Sequence, residues 1–193
     1  MEDFYTLQGE GTYQGRAAYF IRLAGCDVGC VWCDVKESWA MDAHPMVGLP
    51  VIVQRARESG APIAVITGGE PAMHNLEALT RNLRATGMRT HIETSGAHPL
   101  TGEWDWICLS PKKFKAPRPD IYELAHELKI VVYHKSDLDW AEQEAARTSA
   151  NCRLYLQPEW SREKEMLPVI IAYMKKNPRW TVSLQVHKYM NIP

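Results

Sequence analysis

The stretch Ala18-Tyr19-Phe20-Ile21-Arg22-Leu23-Ala24-Gly25-Cys26-Asp27-Val28-Gly29-Cys30-Val31-Trp32-Cys33 runs from a short apolar segment straight into three closely spaced cysteines. The apolar part, Ala18–Leu23, predicts a β-strand. Three thiolates in one loop can hold three corners of a cubane iron–sulfur cluster and leave one iron open. They could instead begin a zinc site with His44 as the fourth ligand, or carry no metal. Structural zinc usually uses two separated Cys-x2-Cys pairs, and a second pair is missing, so the spacing favours the cluster.

Segments of strand and helix character alternate along the rest of the chain. The sequence predicts six further strands at Ile63–Thr67, Thr90–Thr94, Trp106–Leu109, Lys129–Tyr133, Arg153–Gln157 and Thr181–Leu184. The predicted helices are Val51–Glu58, Leu76–Ala85, Ile121–Leu128, Leu138–Arg147 and Arg162–Asn177. Strands joined by helix-length segments form a parallel sheet with helices outside. A full eight-unit barrel takes about 200–400 residues. We therefore expect one α/β domain over residues 1–193, an incomplete (β/α)6-type partial TIM barrel with parallel strands inside and helices outside.

The composition is that of an ordinary globular protein. Apolar residues make up 46% of the chain and charged residues 23%, and the net charge is −1. The densest basic run, Lys112–Lys115, is too short to give an electrostatic reason for a nucleic-acid partner. No apolar run reaches membrane-spanning length, and the acidic start Met1-Glu2-Asp3 does not resemble a signal peptide. Five cysteines, three of them in one loop, make a poor disulfide framework and indicate a reducing cytoplasm.

Polar and glycine-containing segments follow the predicted strands at their carboxyl ends. Besides the cysteine loop, they are Thr67-Gly68-Gly69-Glu70-Pro71, Glu93-Thr94-Ser95-Gly96, Ser110-Pro111-Lys112 and Gln157-Pro158-Glu159-Trp160. The carboxyl ends of parallel strands meet at one edge of a sheet, where α/β enzymes place their chemistry. We therefore expect these segments to converge on one site.

Several residues have both a functional and an ordinary interpretation. Gly68-Gly69 could expose backbone amides to an amino-acid-like ligand, or form a plain turn. Glu93 could accept hydrogen bonds from ribose hydroxyls, or be a solvated carboxylate at a strand end. Arg22 could bind a substrate carboxylate, or pair internally with Glu10 or Asp34.

The segment Leu7-Gln8-Gly9-Glu10-Gly11 offers an amide and a carboxylate between glycines. Gln8 and Glu10 are therefore equipped to bind the guanidine-like edge of a pterin or purine, although an ordinary loop also fits. Cys108 and Cys152 lie in or beside strand-like runs and are predicted to be small core residues.

Together, these motifs resemble a known group of enzymes. The cysteine spacing after a first strand, with Thr-Gly-Gly-Glu-Pro after the second, resembles the radical S-adenosylmethionine superfamily. Further segments narrow the resemblance to the 7-carboxy-7-deazaguanine synthase family of the queuosine pathway: Phe4–Gly11, Arg22–Cys26, Cys33-Asp34, Glu93–Gly96, Ser110–Lys112, Gln157-Pro158 and the tail ending at Pro193. The Leu-Gln-Gly-Glu-Gly start and the Gln-x-His-Lys…Pro end are the family-specific parts.

The resemblance implies a carbon–nitrogen lyase that contracts the ring of 6-carboxy-5,6,7,8-tetrahydropterin and releases ammonia. A reduced 4Fe–4S cluster would cleave S-adenosylmethionine, and the resulting 5′-deoxyadenosyl radical would abstract hydrogen from C6 of the pterin. S-adenosylmethionine would be regenerated. The resemblance also implies an electron donor such as flavodoxin or ferredoxin, and a homodimer. The protein itself is not expected to bind tRNA, because its charge balance offers no basic surface.

The resemblance also assigns residues to each ligand. The cluster would be held by Cys26, Cys30 and Cys33. The S-adenosylmethionine site would be lined by Trp32, Cys33, Asp34, Gly69, Glu93, Ser110, Pro111, Lys112, Gln157, Pro158, Glu159 and Trp160. The pterin site would be lined by Leu7, Gln8, Gly9, Glu10, Arg22 and Thr67, and closed by His187 and Pro193. A carboxylate at Pro193 could accept hydrogen bonds from the amino edge of the pterin, so an extension past Pro193 is expected to lower activity.

One position departs from the family pattern. Many members have a Ser or Thr after the Cys-Asp pair, and its hydroxyl binds Mg2+ beside the substrate carboxylate. Here that position is Val35, which has no side-chain oxygen. A magnesium ion would need another ligand, such as a main-chain carbonyl or water.

Two other functions share part of this sequence pattern. A radical enzyme that activates a glycyl-radical enzyme would share the cysteine loop but act on a protein backbone, whereas Gln8, Glu10 and Arg22 favour a small molecule. A zinc-binding module without catalysis would share the cysteines alone, and metal and sulfide analysis would separate it.

Overall fold

The structure is a computed structural model that describes residues 1–193. Its strands are β1 (Glu2–Leu7), β2 (Ala17–Leu23), β3 (Ile63–Gly68), β4 (Arg89–Thr94), β5 (Trp106–Leu109), β6 (Glu127–Val132), β7 (Arg153–Pro158) and β8 (Trp180–Val182). Its α-helices are α1 (Leu49–Ser59), α2 (Glu77–Ala85), α3 (Pro119–Leu124), α4 (Asp137–Ala145), α5 (Glu163–Met174) and α6 (Val186–Met190). None of these helices combines the length and the apolar character needed to cross a bilayer.

The eight strands form one sheet in sequence order. Strands β2 to β8 are parallel, and β1 pairs antiparallel with β2. β1 pairs only with β2 and β8 only with β7, so the sheet does not close. Seven parallel strands and six connections in an open sheet confirm the predicted partial barrel, with parallel strands inside and helices outside.

The core lies between the helices and the outer face of the sheet. Strand residues alternate between the two faces. In β4, Ile92 is fully buried toward α1 and α2, whereas His91 and Glu93 face the barrel interior. In β6, Leu128 and Ile130 pack under the later helices, whereas Glu127 and Lys129 face inward. The interior of the barrel is therefore polar, which makes it suited to binding ligands.

The structure corrects the sequence prediction at three elements. The predicted helix over Ile121–Leu128 is wrong at its end: the helix stops at Leu124, and Glu127 already pairs with Arg153 of β7. Sheet pairing overrides the local helical pattern there. β1 and α6, which flank the open side of the sheet, were not predicted. Cys108 and Cys152 are buried, as predicted for core residues.

The open side of the sheet is crossed by the segment that follows β8. Val186 N donates to Gly9 O, in the loop after β1, at 3.0 Å. Gly11 N donates to Ser183 Oγ at 3.0 Å. The loop itself is tied to the sheet by Thr12 N, which donates to Glu127 Oε2 at 3.0 Å. These contacts join the two edges that the strand ladder leaves unpaired.

Candidate active site

A cavity of about 480 Å³ opens at the carboxyl ends of the parallel strands. This volume lies in the range of small-molecule sites. Every site residue predicted from the sequence lines it except Pro111, which is buried beside Ser110 and does not reach the cavity wall. The structure thus brings the five predicted segments, the Gln8–Glu10 loop and the C-terminal tail to one place. Other lining residues, among them Lys129, Gln185 and Lys188, were not predicted from the sequence.

The three cysteines of the loop after β2 all face this cavity as free thiols. Two contacts hold the loop in place: Gly25 N donates to Ser38 O at 2.7 Å, and Asp27 forms an ion pair with Lys115 at 2.6 Å. Burial raises the pKa of Cys26 and of Cys30, and the nearby Lys112 ammonium opposes that rise at Cys30. Such thiols become good ligands once a positively charged metal group binds and displaces the proton.

The donor set of this loop fits an iron–sulfur cluster with one open iron. The three thiols line one cavity, so a cluster that they held at three corners would leave its fourth iron open to that cavity. His44 does not join them, since its Nε2 lies 2.7 Å from the Glu37 carbonyl oxygen. His44 is therefore not placed as the fourth ligand of a zinc site with these thiols.

Gly68 and Gly69 lie against the cysteine loop. Gly68 has φ +142°, and a Cβ there would lie 2.0 Å from Leu23 O. A Cβ at Gly69 would lie 2.4 Å from Gly25 O and 2.8 Å from Cys26 Cβ. Only glycine lets the two backbones approach this closely. The Gly-Gly pair thus has a packing role at the edge of the cavity.

Glu70 ties this segment to the next one. Its buried carboxylate accepts from Ala72 N at 3.0 Å, from Thr94 Oγ1 at 2.5 Å, and from both the backbone N (2.7 Å) and the hydroxyl of Ser95. A buried carboxylate is stable only with such a full set of donors. Glu70 therefore fixes the Glu93–Gly96 segment relative to the cysteine loop. No ligand-binding role was predicted for Glu70 from the sequence.

Inside the barrel, Lys129 lies between two predicted ligand-binding carboxylates. Its Nζ lies 2.9 Å from Glu93 Oε2 and also forms an ion pair with Glu10. Burial raises the pKa of Glu10, but Lys129, Gln185 and His187 outweigh this effect and lower it to about 2. Burial lowers the pKa of Lys129, but the two carboxylates hold it well above its usual value. The sequence did contain a signal that could have identified Lys129 as a site residue, because it is the only charged residue in the otherwise apolar run Leu128–Val132.

Arg22 reaches the cavity from β2 without the internal partners considered from the sequence. Its Nε lies 2.6 Å from Glu2 Oε1, but not in hydrogen-bonding orientation, so this buried nitrogen makes no hydrogen bond. Glu10 pairs with Lys129 instead, and Asp34 with Lys188 at 2.9 Å. Arg22 therefore retains donors for an anionic ligand.

The C-terminal tail forms one wall of the cavity. His187 packs so tightly on Gly9 that a Cβ there would lie 2.1 Å from its Nδ1. Burial lowers the pKa of His187, which favours the neutral ring. Lys188 reaches the cysteine loop through Asp34, and Thr6 Oγ1 donates to Pro193 O at 3.3 Å. The tail is thus fastened to β1, to the Gln8–Glu10 loop and to the cysteine loop.

Val35 gives the cavity wall no side-chain oxygen for a magnesium ion. Val35 lines the cavity with an apolar side chain, and the neighbouring Asp34 carboxylate is already paired with Lys188. Mg2+ requires oxygen ligands in a near-octahedral arrangement. Of these two residues, only Asp34 offers a side-chain oxygen without a hydrogen bond, its Oδ1, so Val35 contributes no ligand.

No known protein-family model matches the chain. Individual proteins do match it. The chain is 55% identical over 193 residues to the 7-carboxy-7-deazaguanine synthase of Flavobacterium psychrophilum, which covers 100% of this chain and 91% of that protein. It is 50% identical to the enzyme of the same name from Synechocystis sp., over 99% of this chain and 91% of that protein. The crystal structure of QueE from Escherichia coli superposes with a TM-score of 0.81 at 31% identity, over 95% of this chain and 91% of that one.

Proposed function

Because the chain belongs to the 7-carboxy-7-deazaguanine synthase family, we propose that it converts 6-carboxy-5,6,7,8-tetrahydropterin into 7-carboxy-7-deazaguanine with loss of ammonia, a step of queuosine biosynthesis. The observation that carries the proposal is the shared cavity. It is lined both by the three cysteines and by the Gln8–Glu10 loop with Arg22. A metal group and a small polar ring could therefore meet inside one protein enclosure.

Cys26, Cys30 and Cys33 would hold a 4Fe–4S cluster, and S-adenosylmethionine bound at its open iron would supply the radical that starts the ring contraction. The chain contributes the surroundings. Residues at the carboxyl ends of β3, β4, β5 and β7 would surround S-adenosylmethionine, together with two residues of the cysteine loop: Gly69, Glu93, Ser110, Lys112, Gln157 to Trp160, Trp32 and Asp34. Pro111 supports this wall without lining it.

The pterin would be bound by complementary polar groups. The ionised Glu10 carboxylate can accept hydrogen bonds from the ring's amino group and neighbouring N–H, and Gln8 Oε1 holds the Glu10 backbone by accepting from its N at 3.0 Å. The Arg22 guanidinium can pair with the pterin carboxylate. Leu7, Gly9 and Thr67 would line the ring, while His187 and Pro193 close over it. This enclosure keeps water away from reactive intermediates.

The physiological setting extends this proposal. The enzyme would be a lyase that takes electrons from a small donor such as flavodoxin or ferredoxin, and would act as a homodimer in the cytoplasm. Nucleic acid and membrane are not among its proposed partners. Magnesium is not assigned a role, because Val35 offers it no side-chain oxygen.

The test is an anaerobic reconstitution with iron and sulfide, followed by incubation with the carboxytetrahydropterin, S-adenosylmethionine and a strong reductant. We expect 7-carboxy-7-deazaguanine by mass and ultraviolet absorbance. Replacing Cys26, Cys30 or Cys33 with Ala should abolish it, and Cys152→Ala, which changes a buried cysteine outside the cavity, should retain it. Cleavage of S-adenosylmethionine without deazaguanine would overturn the substrate assignment, and a protein that binds neither iron nor sulfide would overturn the radical chemistry.

A further inference from the structure

Lys129 belongs to none of the motifs found in the sequence, yet it lies in the polar interior of the barrel. Its side chain is only 4% exposed. It projects from the inner face of β6 and contacts carboxylates from two different parts of the chain, Glu10 of the β1–β2 loop and Glu93 of β4. A buried lysine at such a position is costly unless both its charge and its donors are satisfied.

Each of the two carboxylates is also held at its second oxygen. Glu10 Oε1 accepts from Gln185 Nε2 at 2.8 Å. Glu93 Oε1 accepts from Gln8 Nε2 at 2.8 Å. The ammonium group of Lys129 is therefore the one contact that the two carboxylates share. It joins the residue proposed for the pterin to the residue proposed for the ribose of S-adenosylmethionine.

The charges of this group do not cancel. One ammonium faces two carboxylates, which leaves Lys129, Glu10 and Glu93 together with one net negative charge. This net negative charge favours a ligand whose edge is rich in N–H donors. Without Lys129, burial would favour the protonated form of Glu10. A protonated carboxyl loses an acceptor oxygen and cannot receive two N–H groups as the carboxylate does.

We propose that Lys129 is a positioning residue for the pterin, whose ammonium group holds the Glu10 carboxylate ionised and oriented toward the amino edge of the ring, with Glu93 fixed on the other side of the same group. This inference rests on the proposed function, because that function assigns the pterin to the Glu10 side of the cavity. Lys129 acts through Glu10 and is not required to touch the ring.

Other charged or titratable residues lie near Lys129, Glu10 and Glu93. A test must therefore separate their effect on ligand binding from the effect of Lys129. Glu127 lies on the same strand, Cys108 on β5, and His187 and Lys188 on the tail. All of them are present in both the wild type and a Lys129 variant. A pH effect that appears only in the variant therefore reports the loss of the ammonium group.

The test measures ligand affinity rather than turnover. The probe is 6-carboxypterin, a stable oxidised analogue with the same amino edge, titrated into reconstituted enzyme with S-adenosylmethionine present at pH 6.0 and pH 7.5. We expect Lys129→Met to raise Kd roughly tenfold or more at pH 6.0, the factor typical of hydrogen bonds to a charged group. The ratio of variant to wild-type Kd should shrink at pH 7.5, where more of Glu10 ionises. In a Glu10→Gln background, Lys129→Met should produce no such pH dependence.

Two controls separate this role from loss of structure. Glu144→Gln removes a buried carboxylate on α4, outside the cavity, and should leave Kd unchanged even if it lowers stability. Lys129→Gln serves the same test if Lys129→Met does not fold. Wild-type turnover is measured first: a wild type without turnover overturns the proposed function. An active wild type whose Lys129 variants bind the probe normally at both pH values overturns only the role of Lys129.

Discussion

Glu70 accepts a hydrogen bond from the backbone N of Ser95 at 2.7 Å, across 25 residues of chain. The contact joins the segment after β3 to the segment after β4, next to the proposed positions of both the cluster and the ribose. Since four donors converge on this one carboxylate, its replacement tests whether the two segments hold each other in place.

We expect Glu70→Gln to lower the free energy of unfolding by about 2–4 kcal/mol, because the amide NH2 would face buried donors and leave them unsatisfied. The measurement is equilibrium denaturation in urea. Glu123→Gln, on the exposed surface of α3, is the matched control and should change little. Equal stability of Glu70→Gln and the wild type would contradict the role assigned to Glu70.

Gly9→Ala should weaken pterin binding while leaving iron content unchanged. The added methyl would lie 2.1 Å from His187 Nδ1, so the tail must move away from the cavity. Affinity for 6-carboxypterin and iron per chain are the two measurements. Gly48→Ala adds a methyl with no atom nearer than 3.9 Å and serves as the control. An unchanged affinity in Gly9→Ala would show that the tail does not close the pterin site.

Turnover of the wild type should be equal in magnesium and in a chelator, because Val35 offers no ligand and Asp34 is paired with Lys188. Val35→Thr restores a hydroxyl and should make turnover respond to added magnesium. Steady-state rates at fixed substrate provide the measurement. If chelation stops the wild type and magnesium restores it, the ion has ligands that this site does not reveal.

His91 should make the fold less stable in acid. Burial, reinforced by the charge of Arg89, lowers its pKa from the ordinary 6.5 to about 4, and its Nε2 has no hydrogen-bond partner. Between these values the unfolded chain binds a proton that the folded chain does not, so stability is lost as pH falls from about 6.5 to about 4. The loss reaches at most about 3 kcal/mol.

We therefore expect His91→Phe to flatten the acid limb of a plot of unfolding free energy against pH. His134→Gln, which changes an exposed histidine, should keep the slope of the wild type. If both variants follow the wild type, the acid sensitivity arises from other groups.

The sequence was sufficient for features that depend on local pattern. Apolar runs located the parallel strands. The segments at the carboxyl ends of these strands converge on one cavity, and all the predicted site residues except Pro111 line it. Contacts between distant parts of the chain could not be predicted from local sequence pattern. The pairing of Lys129 with Glu10 and Glu93 depends on how the β1–β2 loop folds into the barrel. The early start of β6 depends on its pairing with β7, which local propensity does not encode.

The hydrogen bond from Val186 N to Gly9 O, which crosses the open side of the sheet, also has a consequence for the order of folding. The two residues lie 177 positions apart, whereas neighbouring strands of the sheet pair across short connections. Closing such a long loop carries the larger entropic cost and depends on strands already in place. The sheet is therefore expected to assemble before the ligand cavity does. Hydrogen exchange at the Val186 amide would follow that last step, separately from the slower exchange expected within the strands.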